Sequence, residues 1–181
     1  MPPKRIELHG QWFRLFIPRQ EIAQSVRSLS RRIEQDYAGR ELTCVVILKG
    51  AFIFAADLLR QLSLPCRIEM LRAQSYGMQM TSSGTVHFEP TTVDIRGRDV
   101  LLIEDIVDTG LTLQALVHHL QSQEPASLQI ATLLAKPAAQ HLALPLTYVG
   151  KHIPAVFVVG YGMDYAEAGR TLPDIYALED S

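Results

Sequence analysis

Two hydrophobic periods alternate along the chain. In residues 19–37, Ile22, Val26, Leu29, Ile33 and Tyr37 recur every three or four positions, with Arg27, Arg31, Arg32 and Glu34 between them. That spacing predicts an amphipathic helix, begun at Pro18 and stopped by Gly39. Residues 42–48 form a short β-branched apolar run, read as a buried strand ending at Lys49-Gly50. Residues 52–62 read as a helix. Residues 66–73 read as a strand with Ile68, Met70 and Arg72 on alternate positions. Residues 74–84, rich in Ser, Gly, Met and Thr, carry no apolar period and predict a mobile loop, with 85–88 able to pair as a flap hairpin. Strand 99–103, helix 111–121 and strands 128–135, 155–159 and 175–178 complete the series. Strand–helix alternation predicts an α/β fold: a central parallel twisted sheet with helices on both faces. Ligands of such sheets bind at the carboxyl ends of the strands. Four ends carry polar or glycine signals, at Lys49-Gly50, 104–112, Lys136-Pro137 and 160–164.

Composition narrows the class. The 181 residues suit one domain, and 48% hydrophobic with 20% charged residues exclude a disordered chain. The formal charge of −2 offers no field for a polyanion, so nucleic acid is not an expected partner. Cys44 and Cys66 cannot form a disulfide framework or a four-thiolate zinc site and read as two buried thiols. No signal-peptide pattern opens the chain, and Lys49 and Lys136 interrupt its best apolar stretches. The expectation is a soluble cytoplasmic protein with no membrane partner.

The chemistry concentrates in Val-Leu-Leu-Ile-Glu-Asp-Ile-Val-Asp-Thr-Gly-Leu-Thr, residues 100–112. An apolar strand runs into Glu104 and Asp105. Asp108, Thr109, Gly110 and Thr112 then open a helix. Free N–H groups at a helix start, with threonine hydroxyls, make an anion cradle. Carboxylates beside a phosphate repel it unless they bind sugar hydroxyls or a hard cation such as Mg²⁺. A phosphorylated sugar with magnesium satisfies both halves. There is no Gly-Lys-Ser/Thr of a Walker loop, and no G-x-G-x-x-G follows a strand.

Residues 104–112, Glu-Asp-Ile-Val-Asp-Thr-Gly-Leu-Thr, resemble the phosphoribosyl-pyrophosphate loop of type I phosphoribosyltransferases. Leu48-Lys49-Gly50-Ala51, Ser75-Tyr76-Gly77, Leu134-Ala135-Lys136-Pro137 and the stretch 157–165 with Arg170 are similar to the compact bacterial hypoxanthine-guanine branch, over about residues 45–178. The resemblance implies a single domain over 1–181, with a core at about 19–160 and a small hood from about 1–18 and 161–181. It implies Mg²⁺-dependent transfer of phosphoribosyl from phosphoribosyl pyrophosphate to hypoxanthine and guanine, in a homodimer or homotetramer. Glu104 and Asp105 would bind the ribose hydroxyls and a metal ion. Asp108, Thr109, Gly110, Leu111 and Thr112 would cradle the 5′-phosphate. Asp108 would also accept the purine N7 proton, a task that needs a closed site to strengthen a carboxylate as base.

Lys136 would donate to the purine O6, Phe157 would stack on the base and Val158 would meet its edge. Asp164 would touch a second metal ion, and Lys49, Gly50 and Arg170 would hold pyrophosphate. The Leu48-Lys49 peptide is expected to be cis. Ser75 and Tyr76 would belong to a lid that keeps water from the reacting ribose. Gly169 and Asp174 stand where relatives carry aromatic residues, and Leu111 where many carry a polar one. The first two bear on how Arg170 is supported and how the hood packs; Leu111 slightly weakens phosphate-side contacts but leaves the backbone cradle intact. Two other readings compete: a phosphoribosyl-pyrophosphate-sensing regulator that binds nucleic acid, and a sibling xanthine enzyme. The charge of −2 and the presence of Asp108 and Lys136 weigh against the regulator.

Overall fold

The structure, a computed structural model, describes residues 2–72, 94–138 and 144–179, with Thr112 by its backbone alone. The strands expected at 42–48, 99–103 and 128–135 form the centre of a sheet because each is apolar on both faces. With β3 (Leu42–Leu48), β4 (Cys66–Arg72), β5 (Asp99–Val107), β6 (Ser127–Ala135) and β7 (Tyr148–His152), the order is β4-β3-β5-β6-β7, all parallel. Helices α1 (Arg19–Asp36) and α2 (Phe52–Leu59) cover one face, packing Val26, Leu29, Phe54 and Leu58 on Leu101 and Ile103. Helix α3 (Leu111–Gln121) covers the other, packing Leu116, Val117 and Leu120 on Val100 and Leu102. Adjacent β5 residues thus anchor opposite helix layers. Truncating a core leucine of this kind to alanine costs about 2–5 kcal/mol.

A second, antiparallel sheet has the order β1-β2-β9-β8, from β1 (Arg5–Leu8), β2 (Gln11–Ile17), β9 (Ile175–Leu178) and β8 (Val158–Val159). It closes over its own small core of Phe13, Val159 and Tyr176. The strand expected at 155–159 is therefore only Val158–Val159, and it pairs in this hood rather than in the parallel sheet. The fifth parallel strand is instead Tyr148–His152, hidden in the sequence by Gly150 and by a polar outer end at Lys151 and His152. Helix α2 ends at Leu59, three residues short of the expected end. In β4 the buried residue is Leu71, while Ile68 and Met70 are exposed, because β4 is the sheet's outer strand. Ala73, the loop expected at 74–84 and the hairpin at 85–88 lie outside the described residues. No described helix is long and apolar enough to cross a membrane.

Asp174 resolves one of the sequence departures. Its carboxylate is 1% exposed and accepts the backbone N–H of Arg19 (2.8 Å), at the start of α1, together with the Arg19 guanidinium Nη2 (2.7 Å). An acid at this position therefore ties the hood to the first turn of a core helix and meets its dipole. The bonds from Arg19 hold the Asp174 carboxyl below the usual carboxylate range. The native state then binds this proton less tightly than the unfolded chain, whose carboxyl titrates near pH ~4. The resulting stabilisation is complete above that pH and fades as pH falls through the lower native value. Thermal melts of Asp174→Asn against the parent are expected to show a constant Tm deficit between pH 5 and 7 that shrinks below pH 4. A deficit that does not change with pH contradicts this assignment.

Candidate functional site

The parallel order reverses direction between β3 and β5, the place where open α/β sheets bind ligands. A cleft of about 1360 Å³ opens there, at the carboxyl ends of β3, β5 and β6, with the hood as its far wall. Most of the predicted site residues line it: Lys49, Gly50, Glu104, Asp105, Asp108, Thr109, Gly110, Lys136, Phe157, Val158, Asp164 and Arg170. Leu111 does not; it stands in the first turn of α3 with its side chain exposed, and Thr112 follows it in that turn. Ser75 and Tyr76 lie outside the described residues.

Strand β5 runs to Val107, so Glu104 and Asp105 lie within the ladder rather than beyond it. Asp105 is buried, and its Oδ1 accepts the amide of Ile106 (2.8 Å). Glu104 Oε1 accepts the amide of Asp105 (3.1 Å). Among the described residues no cation pairs with either carboxylate. Burial, reinforced by the neighbouring Asp105, pushes the Glu104 carboxyl well above the usual range. Adjacent hard oxygens without a counter-charge are the donor set a magnesium-sized ion takes, with substrate oxygens filling the rest. The residues present therefore fit a divalent cation. Among the described residues no cluster of three or more protein ligands occurs, so the protein alone does not complete a coordination shell.

Beyond Val107, the chain turns through Asp108 and Thr109 to Gly110, which takes φ +76° at the start of α3. Among the described residues no side chain caps this helix. Its first amides are left for an anion, in line with the predicted phosphate cradle. Asp108 does not serve as the cap. Its Oδ2 accepts Lys136 Nζ at 2.7 Å, an outcome of strand register. Val107 pairs with Ala135, and Lys136 N–H donates to Val107 O (2.9 Å), so the residues after the two strands are neighbours. Lys136 is only 9% exposed at its side chain, whereas Asp108 is 61% exposed. The closed setting expected for Asp108 is thus not formed by the described residues. Phe157 is 45% exposed and faces the cleft, edge-on to Tyr165 with ring centres 5.8 Å apart. It is available for stacking rather than consumed by the core.

On the opposite wall the Leu48-Lys49 peptide is cis, as expected. Gly50 passes so close to Asp105 that a Cβ would overlap its carboxylate. Arg170 is held by Gly162 O (2.9 Å) and Asp164 Oδ1 (2.7 Å), which answers how it is supported without an aromatic at 169. Gly169 itself has φ +96°, a conformation that suits glycine. Arg170 Nε is buried with no hydrogen-bond partner among the described residues. One participant was not foreseen. The Glu167 carboxylate reaches Lys49 Nζ (3.1 Å) and Arg170 Nη2 (3.6 Å), bridging the two cations assigned to pyrophosphate. Its place midway between Asp164 and Arg170 was the available signal.

Comparison with known proteins agrees with this layout. The pattern of the phosphoribosyl transferase domain matches residues 17–166. Hypoxanthine-guanine phosphoribosyltransferase of Aquifex aeolicus is 38% identical over 176 residues, covering 96% of this chain and 99% of that protein. A crystal structure of hypoxanthine-guanine phosphoribosyltransferase from Bacillus anthracis superposes with TM-score 0.84 at 39% identity, covering 91% of this chain and 98% of that one. Hypoxanthine phosphoribosyltransferase from Trypanosoma cruzi, in a ternary complex with substrates, gives TM-score 0.84 at 38% identity, covering 91% and 94%.

The acidic pair yields a measurable expectation. A cation on Glu104 favours its ionised form, so binding opposes the upward shift that burial and Asp105 impose. The Glu104 carboxyl ¹³C resonance should titrate above the ordinary glutamate value of ~4.3 and fall on adding millimolar Mg²⁺ or in Asp105→Asn. A resonance that ignores both changes argues against a shared cation site.

Proposed function

The chain belongs to the hypoxanthine-guanine branch of the phosphoribosyltransferase family, and we propose that three groups of cleft residues share its reaction. That reaction is purine salvage: phosphoribosyl pyrophosphate and a 6-oxopurine give a nucleoside 5′-monophosphate and pyrophosphate. Purine N9 bonds to ribose C1, the bond from C1 to pyrophosphate oxygen breaks, and the proton leaves from N7.

The first group holds the pentose. Glu104 and Asp105 accept the ribose hydroxyls, and the amides at 109–112 bind the 5′-phosphate. Mg²⁺ held by Glu104 and Asp105, and on the far side by Asp164, would supply positive charge against the departing diphosphate. The second group holds the base. Phe157 stacks on its face, Val158 meets its edge, and Lys136 donates to O6. An exocyclic amine at that position cannot accept from an ammonium, so adenine leaves a buried cation unpaired and is rejected. The third group, Lys49, Gly50 and Arg170, holds pyrophosphate, and the orphan Nε of Arg170 supports an anion there.

The observation that carries this reading is the 2.7 Å pair of Asp108 and Lys136. A single contact puts the proton acceptor for N7 beside the donor for O6, groups that lie on the same edge of a 6-oxopurine. Without substrate each satisfies the other; an oxopurine inserted between them offers O6 to the ammonium and N7–H to the carboxylate. A base panel at fixed phosphoribosyl pyrophosphate and Mg²⁺ tests it, with hypoxanthine and guanine converted and adenine not. Asp108→Asn should lower kcat by ~10²–10⁴-fold with little change in KM. Absence of turnover with every oxopurine, or near-normal kcat in the variant, overturns the reading.

The proposal extends to a cytoplasmic homo-oligomer. Cys44 and Cys66 are free thiols, and Ile68 is an exposed apolar residue of the outer strand β4 that does not line the cleft. A homodimer or homotetramer that covers this edge accounts for the exposure. Light scattering should give a multiple of 20.2 kDa that falls in Ile68→Glu. An unchanged mass in that variant removes β4 from the interface.

A further inference from the structure

Tyr161 occupies an unusual place. Its φ is +51°, in the left-handed region where a tyrosine is uncommon. Its ring is buried, its amide donates to Leu172 O (2.7 Å), and its hydroxyl donates to Asp57 Oδ2 at 2.6 Å. Asp57 is the one acid in the apolar helix α2, which begins two residues after Gly50. Neither Tyr161 nor Asp57 lines the cleft. Yet the next residue, Gly162, has φ +104° and lies so close to Gly50 that a Cβ would overlap the Gly50 carbonyl. The same Gly162 carbonyl accepts Arg170 Nη1 (2.9 Å), and the Gly162 amide donates to Arg170 O (2.9 Å). Two buried links therefore join two segments, the phenol–carboxylate bond and glycine against glycine, beside the exposed Lys49–Glu167 ion pair. One carries Lys49 and Gly50; the other carries Asp164 and Arg170.

We propose that Tyr161 and Asp57 are positioning residues that set the spacing between these two segments, and through it the affinity for the pyrophosphate end of the donor. The inference rests on Lys49, Gly50 and Arg170 being the pyrophosphate side. A hydrogen bond to a carboxylate is stronger than a neutral one, and its loss releases a loop held in a disfavoured conformation. The base pocket is built from Lys136 just after β6 and Phe157 before β8, so the effect should fall on one substrate. A bond that merely stabilised the fold would affect both alike.

Steady-state kinetics with varied phosphoribosyl pyrophosphate and varied hypoxanthine test this. Tyr161→Phe and Asp57→Ala should each raise the KM for phosphoribosyl pyrophosphate about tenfold, with the hypoxanthine KM within twofold. Asp57→Asn keeps an acceptor and should stay near the parent value. The Tyr161→Phe/Asp57→Ala double variant should be no worse than either single one. Arg60→Ala, which removes only the exposed ion pair on the other Asp57 oxygen (2.7 Å), should leave both KM values unchanged. Equal rises for both substrates, no rise, or additive single effects overturn the proposal. Arg170→Ala separates the two levels. If it raises the donor KM while Tyr161→Phe does not, the positioning role fails alone; if it leaves the donor KM unchanged, the pyrophosphate assignment fails and the positioning role with it.

Discussion

The in-register pairing of β5 with β6 is the constraint on which the site depends. Strand residues 100–107 align with 128–135, so whatever follows each strand is set side by side. Asp108 and Lys136 are 28 residues apart in sequence, yet the ladder delivers them to 2.7 Å. A slip of one residue would turn every side chain of the strand to the opposite face. Two separate core layers forbid that slip, because alternate β5 residues are buried against α1 and α2 on one side and α3 on the other. The packing that stabilises the sheet therefore fixes the position of the groups proposed to handle the purine.

The far side of the cleft is built by close backbone approach. Asp105, Gly50 and Gly162 stand in series, each near enough that a Cβ on either glycine would overlap its neighbour. Through that series the carboxylates of β5, the loop after β3 and the hood form one continuous wall. The hood is tied in again at Asp174, which receives the first amide of α1. Charge follows the same division. The acids at 104 and 105 have no protein counter-charge among the described residues, while the cations Lys49 and Arg170 share Glu167, whose carboxyl Lys49 holds below the usual range. The surplus negative charge invites a metal ion, and the unpartnered Nε of Arg170 invites an anion.

Much of this was legible in the sequence because buried parallel strands read as unbroken apolar runs. The residues proposed to carry chemistry stand at or just after the ends of those runs. The runs read at 42–48, 99–103 and 128–135 are strands of this kind, followed by Lys49, by Glu104 and Asp105, and by Lys136, while the strand at 99 continues to Val107, one residue before Asp108. The hood was harder to read. Arg-Ile-Glu-Leu and Gln-Trp-Phe-Arg-Leu-Phe-Ile mix exposed and buried positions, so β1 and β2 gave no clear apolar run. Strand β7 was obscured by Gly150 and by polar residues at its open edge, and Val158–Val159 is too short to reveal which sheet it joins. Contacts between distant residues, such as Tyr161 with Asp57 or Glu167 with Lys49, follow from how the hood docks and leave no periodic trace. The lone acid Asp57 in the apolar run of α2 and the place of Glu167 between Asp164 and Arg170 were the hints.

A crystal structure with a bound 6-oxopurine nucleoside 5′-monophosphate tests the central geometry most directly. The base should lie on Phe157 with O6 on Lys136 Nζ and N7 toward Asp108, which would part the 2.7 Å ion pair, while the phosphate rests on the amides that open α3. A nucleotide bound with the Asp108–Lys136 pair intact and its purine directed elsewhere would contradict the account.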